Sequence, residues 1–383
     1  MSPGPPGARI ALVHDWLTGM RGGEKVLEAL CERFPQAELF TLVHVRGSVS
    51  PAIERLHPHT SFVQHLPFVK RLYRLYLPLF PTAVEQFDFD RFDLIVSTSH
   101  CSVKSIVRPG RARHVCYCLT PMRYAWDQFD AYFGPERLGR GGRAVMRHMM
   151  AALARWDRDT ASRADRYVAI SHYVAGRIRR YYNRDATVVY PPVDTEFFSP
   201  APSASSAPSI TSGSRYALVV SALVPYKRVA LAIEACRLAH VPLKIAGDGP
   251  ERLRLEHAAG DRAAGSPVTF LGRRSDEEVR DLYRGAAVVL LPGEEDFGIV
   301  PVEAQACGRP VVALGRGGAL ETIVANETGF LVDDPSAPAF ADAIARAMDH
   351  DAPFDTTAIR RHAERFSRER FGDEMAALIG ESA

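Results

Sequence analysis

The chain has 383 residues, of which 46% are hydrophobic and 24% are charged, and its formal net charge is +2. This length allows two domains that each bury a core, and the near-neutral charge gives no general reason to expect nucleic acid as a partner. No stretch reaches the roughly 18 apolar residues that span a bilayer, and the start "MSPGPPGARIALVHDW" lacks the regions of a secretory signal. We therefore expect a cytoplasmic protein.

Apolar runs alternate with segments of helical period almost from end to end. In the first half the predicted strands are "RIALVHDW", "FDLIVSTS", "HVCYCLT", "RYVAIS" and "TVVYPP". In the second half they are "YALVVSAL", "PLKIAG", "VTFLG", "AAVVLLPG" and "PVVALG". Such continuous runs predict parallel sheets covered on both faces, and hence an α/β fold of two doubly wound domains. Between the halves, Ser199–Ser214 is rich in Pro and Ser and predicts an exposed insertion at a hinge.

The first strand is followed by a glycine-containing loop and a helix. Gly19, Gly22 and Gly23 precede a helix that begins near Glu24. Glycines allow backbone N–H groups to approach a phosphate, and a helix N-terminus favours negative charge. The loop is not a G-x-G-x-x-G fingerprint, so a nicotinamide cofactor is poorly supported. The alternative is a simple turn before a helix.

A pair of cations follows the first strand of the second half. Lys227 and Arg228 stand after a Pro-containing loop and before a helix. They have the charge and geometry to neutralise a diphosphate, although basic residues at a helix start are more often simply solvated. Gly247 and Gly249 then flank Asp248 in a tight strand-to-helix turn, which is weak evidence by itself.

Two glutamates follow the strand "AAVVLLPG". Glu295 lies in the loop, and Pro301 in the first turn of a predicted helix would place Glu303 near the helix N-terminus. Backbone N–H groups stand beside Glu295 at Phe297, Gly298 and Ile299. Two carboxylates at one site can each bind a vicinal diol, which suits a sugar and a ribose. The alternative is that Glu303 only complements the helix dipole and that Glu295 is a surface residue.

Taken together, these motifs resemble those of the retaining glycosyltransferases of family 4. The resemblance is carried by Glu295-x7-Glu303 with the intervening Phe-Gly, by Lys227 after "LVPYK", by "GDGPE" and by "TGFLV" at Thr328–Val332. It extends from "HDW…RGGEKV" to "RFSRERF" at Arg365–Phe371, nearly the whole chain. The stretches "CYCLTPMRYAWD" and "SALVPYKRV" are most similar to the mannosyltransferase branch that builds O-antigen and exopolysaccharide units.

The resemblance implies a GT-B architecture, in which two Rossmann-like domains face an interdomain cleft. Residues 1–198 would be the acceptor-side domain, 199–214 the hinge insertion and 215–355 the nucleotide-sugar domain. The last segment, 356–383, would be a helix that crosses back to the first domain.

The resemblance also implies a role for each matching position. Gly22 and Gly23 would lie against the donor diphosphate, and Lys227, assisted by Arg228, would contact it as it departs. Glu295 would engage the transferred sugar and Glu303 the ribose hydroxyls. The backbone at Gly247 and around Phe297, Gly298 and Ile299 would also face the donor. The family usually needs no metal, and we expect none here.

Two positions depart from the family pattern. Relatives often carry Arg at the position of Ala222, and they read "HTP" where this chain has Leu119. A leucine neither donates nor accepts a hydrogen bond. Loss of one aimed donor at a reacting centre costs a few kcal/mol. Activity would therefore be slow, rerouted through His100 or Arg123, or absent.

Two basic, apolar segments in the first half predict contact with an anionic membrane surface. Residues 66–81 combine Lys70, Arg71 and Arg74 with aromatic and leucine side chains and contain no acidic residue. Residues 137–156 repeat the theme with Met146, Met149, Met150 and Leu153 at helical spacing. The alternative is that both are ordinary helices packed on the first sheet.

These inferences lead to one function and two alternatives. The leading hypothesis is a transferase that moves mannose from GDP-mannose to a lipid-linked or oligosaccharide acceptor, at the inner face of the cytoplasmic membrane. A degenerate relative that binds nucleotide-sugar or lipid without turnover is the main alternative, on the evidence of Leu119 and Ala222. A sugar-nucleotide epimerase of the same fold is the other.

The cysteines give no reason to expect a metal. Six lie at positions 31, 101, 116, 118, 236 and 307, and Cys116-Tyr-Cys118 lacks the second ligand pair of a zinc site. We expect six reduced thiols.

Overall fold

The computed structural model describes residues 8–108, 110–133, 135–201, 215–260, 268–349 and 354–381. Internal contacts divide the chain into two units. The first runs to Pro192 and resumes at Arg368, and the second is Val193–Ser367. Residues 193–198 and 356–367 thus belong to the second unit rather than to the predicted first domain and crossing helix. Most of the predicted insertion, residues 202–214, lies outside the described residues.

The first unit contains a seven-stranded parallel sheet within the described residues. Its strands are β1 Ile10–His14, β2 Glu38–Thr41, β3 His59–Thr60, β4 Leu94–Ser99, β5 Arg113–Cys118, β6 Arg166–Ala169 and β7 Ala186–Val188. Their order is β3-β2-β1-β4-β5-β6-β7. The helices of this part are α1 Gly22–Arg33, α2 Pro51–Glu54, α3 Val69–Leu72, α4 Phe80–Glu85, α5 Arg123–Trp126, α6 Phe129–Tyr132, α7 Pro135–Asp159 and α8 His172–Tyr182.

The second unit contains a six-stranded parallel sheet, again within the described residues. Its strands are β8 Ala217–Val220, β9 Leu243–Ala246, β10 Val268–Gly272, β11 Val288–Leu291, β12 Val311–Leu314 and β13 Gly329–Val332. Their order is β10-β9-β8-β11-β12-β13. Its helices are α9 Val229–Leu238, α10 Arg252–Ala259, α11 Asp276–Gly285, α12 Ile299–Ala306, α13 Ala319–Thr322, α14 Ala337–Met348 and α15 Thr356–Glu364.

The central strands explain why the sequence shows continuous apolar runs. Every side chain of β4, β11 and β12 is buried, because helices cover both faces of each sheet. Both strand orders change direction next to the first strand of the unit, which is the doubly wound topology. The prediction of two Rossmann-like α/β domains is therefore confirmed.

The last helix, α16 Arg368–Glu381, packs on the first unit. Arg368 forms ion pairs with Glu28 and Glu32 of α1, at 3.3 and 2.8 Å. The ring of Phe371 meets that of Tyr117 on β5, edge to face, with centroids 5.5 Å apart. A helix at the end of the chain thus completes the first unit.

Two further observations concern the whole described chain. No described helix is both long and apolar enough to cross a membrane. All six cysteines are buried and none forms a disulfide.

Candidate functional site

The second unit brings Lys227 and Glu295 into contact. Lys227 ends a 3₁₀ turn, Pro225–Lys227, that follows β8, and Glu295 lies in the loop that follows β11. Strands β8 and β11 are neighbours in the sheet, so their carboxyl ends lie side by side. Lys227 Nζ forms an ion pair with Glu295 Oε1, and the two side chains are 21% and 10% exposed. Two residues predicted from separate motifs therefore form one charged pair.

Gly293 allows the two loops to approach this closely. A Cβ atom at Gly293 would lie 2.6 Å from the carbonyl oxygen of Tyr226 and 2.9 Å from Lys227 Cα. Real Cβ atoms do not come so near a backbone atom, so any side chain at this position would push the loops apart. The first glycine of "GEEDFG" is thus required by the pairing of Lys227 with Glu295.

A third loop supports the main chain of Glu295. Glu295 forms an isolated parallel bridge with Gly317, and the Gly318 N–H donates to the Glu295 carbonyl oxygen at 2.8 Å. These glycines follow β12, the next strand of the sheet. Their role was not predicted from the sequence, although a glycine-rich turn directly after a buried strand is a recognisable signal.

Helix α12 begins with the residues predicted to face the donor. Gly298 precedes the helix with φ 93°, and Ile299 is its first residue. N–H groups in a first helical turn have no partner within the helix, so they are available to an anion. Phe297 is 2% exposed, and its ring meets that of Phe366 edge to face at 5.5 Å. Phe297 therefore anchors the loop by packing, which leaves its side chain no access to a ligand.

Glu303 is the fifth residue of α12, and Pro301 lies in the first turn of that helix, as the sequence predicted. The helix begins at Ile299 and its first turn contains no acidic residue, so Glu303 does not complement the helix dipole. The side chain is buried, and Tyr283 Oη donates a hydrogen bond to Glu303 Oε2 at 3.0 Å. Burial and the adjacent Glu303 raise the pKa of Tyr283 well above its usual value. Tyr283 thus remains a hydrogen-bond donor that orients the carboxylate, a role the sequence did not reveal.

Gly247 and Arg228 both have positive φ angles in loops that follow strands of the second sheet. Gly247 has φ 136°, and a Cβ atom there would lie 1.8 Å from the carbonyl oxygen of Ser221. Arg228 has φ 51°, immediately before α9, and its side chain is exposed. This conformation costs a non-glycine residue about 1–2 kcal/mol. The Arg228 guanidinium forms no ion pair with any residue that the structure describes. The role of both residues toward a ligand stays a prediction.

The first unit contains the glycine loop and Leu119. Gly22 and Gly23 are the first residues of α1, and a Cβ atom at Gly23 would lie 2.9 Å from Leu119 Cδ1. The half-buried leucine therefore packs directly against the start of α1. His14 is fully buried beside them, and its Nδ1 lies 2.6 Å from Thr98 Oγ1. Burial lowers the pKa of His14 to about 3, so this ring is neutral.

Asp15 organises the loop that follows β4. Its buried carboxylate accepts hydrogen bonds from the backbone N–H groups of His100, Cys101, Ser102 and Val103, at 2.7 to 3.0 Å. His100 Nδ1 lies 3.2 Å from Asp15 Oδ2, and the ring of Trp16 meets the His100 ring edge to face at 4.4 Å. In the sequence, Asp15 stands at the end of the predicted strand "RIALVHDW", and its role was not predicted because its partners are distant in the chain.

The predicted residues thus form two groups. Lys227, Arg228, Gly247, Glu295, Phe297, Gly298, Ile299 and Glu303 belong to the second unit, and Gly22 and Gly23 belong to the first. The expected convergence of both groups on one cleft stays a prediction. Across the described parts of the chain, no three His, Cys, Asp or Glu side chains are grouped so as to hold a metal ion.

Comparison with known families identifies the chain. The model described as "Glycosyltransferase Family 4" matches residues 20–197, and the model described as "Glycosyl transferases group 1" matches residues 203–368. This chain belongs to glycosyltransferase family 4. Curated relatives include the D-inositol 3-phosphate glycosyltransferases of Mycobacteroides abscessus and Mycolicibacterium smegmatis, each 30% identical over 237 and 239 residues. The matches cover 58% of this chain and 53% and 54% of the relatives, so the chain spans about half their length.

Solved structures of glycosyltransferases share the fold of this family 4 member. Anabaena HepE in complex with UDP-glucose has a TM-score of 0.70 at 20% identity, covering 98% of this chain and 100% of that one. Sucrose-phosphate synthase from Thermosynechococcus elongatus has a TM-score of 0.67, also at 20% identity, covering 97% and 98%. At such identities the comparisons establish the fold alone.

Proposed function

We propose that this chain is a retaining hexosyltransferase that moves mannose from GDP-mannose to a lipid-linked or oligosaccharide acceptor in cell-surface polysaccharide synthesis. The observation that carries the donor half is the contact between Lys227 and Glu295. A half-buried cation and a carboxylate meet at the carboxyl ends of neighbouring parallel strands, where ligands bind in doubly wound sheets. Glu303, which accepts a hydrogen bond from Tyr283 on the preceding helix, adds a second oriented carboxylate in the same unit.

The ion pair between Lys227 and Glu295 suggests the role of each residue in the reaction. Lys227 supplies a positive charge for the departing diphosphate, and its pairing with Glu295 holds it in place before the donor binds. Because Glu295 is paired with a cation, it is suited to bind sugar hydroxyls rather than to attack the anomeric carbon. The acceptor hydroxyl then approaches from the side of the leaving group, and its proton passes to a diphosphate oxygen. No step uses a metal.

A UDP-hexose is the second candidate donor. The Anabaena protein was solved with UDP and with UDP-glucose, whereas the choice of GDP-mannose rests on the resemblance of "CYCLTPMRYAWD" and "SALVPYKRV" to the mannosyltransferase branch. The donor panel of the experiment therefore includes both.

An exposed apolar and basic segment of the first unit supports the proposal of a lipid-linked acceptor. In residues 66–81, Phe68 and Leu75 are 78% and 70% exposed, and Lys70, Arg71 and Arg74 are exposed among them. Exposed apolar groups with basic neighbours suit an anionic leaflet. Residues 137–156 contribute less, because Met150 and Leu153 are buried and their neighbours Met146 and Met149 pack on the same core. We therefore propose residues 66–81 as the principal contact.

Transfer of radiolabelled sugar to solvent-extractable lipid tests the proposal. The full chain is incubated with membranes in EDTA and with GDP-mannose, UDP-glucose or UDP-galactose. We expect label from GDP-mannose to enter the lipid fraction with an α-linkage, and far less label to enter with Lys227→Ala. Incorporation of label from a UDP-sugar but not from GDP-mannose would show that the donor is a UDP-sugar. A β-linkage in the product would exclude a retaining mechanism. Conversion of the donor without an acceptor would indicate an epimerase. Absence of transfer from every donor would favour the non-catalytic alternative.

Sedimentation with vesicles tests the membrane contact separately. Leu75→Ser should weaken binding to phosphatidylglycerol vesicles several-fold. Leu253→Ser is the matched control, because Leu253 is 80% exposed in the second unit. Equal effects of the two changes would contradict the proposed surface.

A further inference from the structure

We propose that a basic cavity at the amino end of the first sheet binds a small phosphate-bearing molecule, for which inorganic diphosphate is the simplest probe. The cavity has a volume of about 510 Å³. Four arginines and one acid are among the residues that line it, namely Arg108, Arg111, Arg113, Arg166 and Asp165. None of these residues has a role in the proposed transfer of sugar, so this site is independent of the proposed function.

The cavity lies at the opposite end of the sheet from the loops that follow its strands. Arg113 and Arg166 are the first residues of the neighbouring strands β5 and β6. Leu119 follows β5 at its other end, six residues after Arg113, which is roughly 20 Å of extended chain. Doubly wound sheets bind their substrates at the carboxyl ends of the strands. A ligand in this cavity would therefore regulate or stabilise the first unit rather than react there.

Arg108 and Asp165 form the fixed part of the cavity wall. Asp165 accepts the His114 backbone N–H at 2.8 Å with one carboxylate oxygen and forms an ion pair with Arg108 through the other. Arg108 also donates to the carbonyl oxygens of Ala112, at 2.8 Å, and Arg163, at 3.2 Å. Both oxygens of Asp165 are thus engaged, and its charge is balanced by that of Arg108.

Arg111 and Arg113 carry positive charge that the wall does not balance. Both residues are exposed, and neither guanidinium forms an ion pair with any residue in the described part of the chain. Arg111 donates one hydrogen bond, to the Asp90 carbonyl oxygen at 2.9 Å. Arg166 Nη1 donates to the Leu378 carbonyl oxygen at 3.4 Å, which holds Arg166 against α16. The cavity therefore offers at least two cationic groups to a ligand.

The acids closest to Arg111 and Arg113 along the main chain leave these charges in place. Asp90 and Asp93 accept hydrogen bonds from the two arginines only through backbone carbonyl oxygens, from the Arg111 side chain at 2.9 Å and from the Arg113 N–H at 3.0 Å. The Asp93 carboxylate accepts the Arg9 backbone N–H at 3.0 Å and lies 4.0 Å from the Arg9 guanidinium. Arg9 thus offsets Asp93.

Two further groups border the cavity. Arg184 Nη2 donates to the carbonyl oxygens of Ala164 and Asp165, each at 3.0 Å, so it brings another positive charge beside the wall. His114 adds no charge near neutral pH, because burial lowers its pKa to about 4. The surplus of positive charge is therefore due to arginines, which stay protonated at any physiological pH.

A diphosphate matches this set of side chains. Planar guanidinium groups donate paired N–H bonds to phosphate oxygens, and a ligand with several negative charges suits two unbalanced cations. The volume is that of a small-molecule site rather than of an extended groove. Phe, Tyr and Trp are absent from the described lining, so the cavity offers no ring on which a nucleobase could stack. We therefore expect diphosphate, rather than a nucleoside, to be the recognised part.

A lipid headgroup is the other source of the same chemistry. The segment proposed to contact the membrane is residues 66–81, and its Tyr73 packs on Trp16 with ring centroids 5.3 Å apart. Trp16 follows β1, so that segment approaches the carboxyl end of the sheet, whereas the cavity is at the amino end. This placement favours a soluble phosphate.

Calorimetric titration of the full chain with inorganic diphosphate tests the cavity. A Lys227→Ala background removes the predicted diphosphate contact of the donor site. In that background we expect diphosphate still to bind, and Arg113→Ala to weaken the binding at least tenfold, since a charged hydrogen bond is lost. Arg111→Ala should weaken it several-fold, and Arg113→Lys should retain part of it. Diphosphate should also raise the thermal midpoint of the wild type more than that of Arg113→Ala.

Arg71→Ala is the matched control, because Arg71 is an exposed arginine of the same unit in the segment 66–81. It should change diphosphate binding less than twofold. Equal diphosphate affinities of Arg71→Ala and Arg113→Ala would contradict the site, as would absence of binding in the Lys227→Ala background.

Two further measurements separate the sources of phosphate and the two proposals. Arg113→Ala should leave sedimentation with phosphatidylglycerol vesicles unchanged. Loss of vesicle binding without loss of diphosphate binding would assign these arginines to the membrane and overturn the site. Arg113→Ala should bind GDP or UDP as the wild type does. Normal nucleotide binding with no diphosphate response in the cavity would overturn only this site, whereas loss of nucleotide binding in the wild type would overturn only the proposed function.

Discussion

Lys227 Nζ and Glu295 Oε1 form an ion pair that connects the loops after β8 and β11. Two further contacts fix the loops. Gly293, in the loop after β11, packs closely against the backbone of Tyr226 and Lys227 in the loop after β8. The Gly318 N–H donates a hydrogen bond to the Glu295 carbonyl oxygen. The charged pair is therefore positioned before a donor binds. Such preorganisation is what electrostatic catalysis requires.

Removing either charge of this pair should impair catalysis, and removing both should not double the loss. Lys227→Ala and Glu295→Gln are each expected to reduce kcat on the order of 10²-fold, since an aimed charge contributes a few kcal/mol to the transition state. Because the two side chains act together, the double variant should be far less impaired than the product of the single effects. Steady-state kinetics of the three variants measures this coupling.

An exposed ion pair in the same unit gives the control. Glu234 and Arg237 on α9 pair at the surface, so Glu234→Gln should change kcat less than twofold. Fully multiplicative effects of Lys227→Ala and Glu295→Gln would show that the two residues act independently.

Gly293→Ala should separate the loops that carry Lys227 and Glu295. The added Cβ would lie 2.6 Å from the Tyr226 carbonyl oxygen, so the backbone must move, at a cost of about 1–3 kcal/mol in unfolding free energy. Activity should fall with it. Gly176→Ala is the control, because Gly176 is exposed in α8 and a Cβ there meets nothing within 4 Å. Denaturant unfolding should show Gly176→Ala to be neutral or stabilising by about 0.5–1 kcal/mol.

Tyr283→Phe should weaken donor binding more than it slows turnover. The change removes the hydrogen bond to Glu303 and leaves a buried carboxylate less well oriented, at a cost of about 1–3 kcal/mol. We expect a donor Kd raised about tenfold or more, with a smaller change in kcat. Tyr216→Phe is the comparison, since Tyr216 Oη donates to the Leu282 carbonyl of the same helix at 2.9 Å. Similar donor Kd values for the two variants would contradict a role for Tyr283 in holding Glu303.

Glu24 should make the stability of the first unit depend on pH. Burial raises its pKa from 4.5 to about 7, so the folded protein binds more protons than the unfolded chain between these values. The free energy of unfolding should therefore fall as the pH rises through this window, by up to roughly 3 kcal/mol from this group. Glu24→Gln should lose this component. Urea unfolding at pH 5 and pH 8 checks it: an equal pH dependence in wild type and Glu24→Gln would contradict the burial effect.

Sequence patterns predicted the central strands because those strands are buried on both faces. Strands β2, β3 and β13 were not predicted as strands; β3 has only two residues, and β3 and β13 lie at the edges of their sheets. Lys227 and Glu295 were identified through their motifs, but spacing along the chain could not show that they form a pair. That contact depends on β8 and β11 being neighbours across the sheet.

Other features of the site depend on tertiary contacts that leave no local pattern. Tyr283 reads as an ordinary apolar-face residue of α11, and only its position opposite α12 reveals the contact with Glu303. Asp15 and the loop of His100 are far apart in sequence, so the cluster of N–H donors around that carboxylate was invisible. The position of Glu303 near the start of α12 was predicted from Pro301, but its burial against Tyr283 was not.

Calorimetric titration with GDP, UDP and ADP in the presence of EDTA tests the central claim most directly. The wild-type chain should bind one nucleotide series without metal, and Glu303→Gln should weaken that binding at least tenfold. Glu234→Gln should leave it unchanged. Absence of binding by any of the three nucleotides, or equal binding by wild type and Glu303→Gln, would contradict the assignment of the second unit as the donor site.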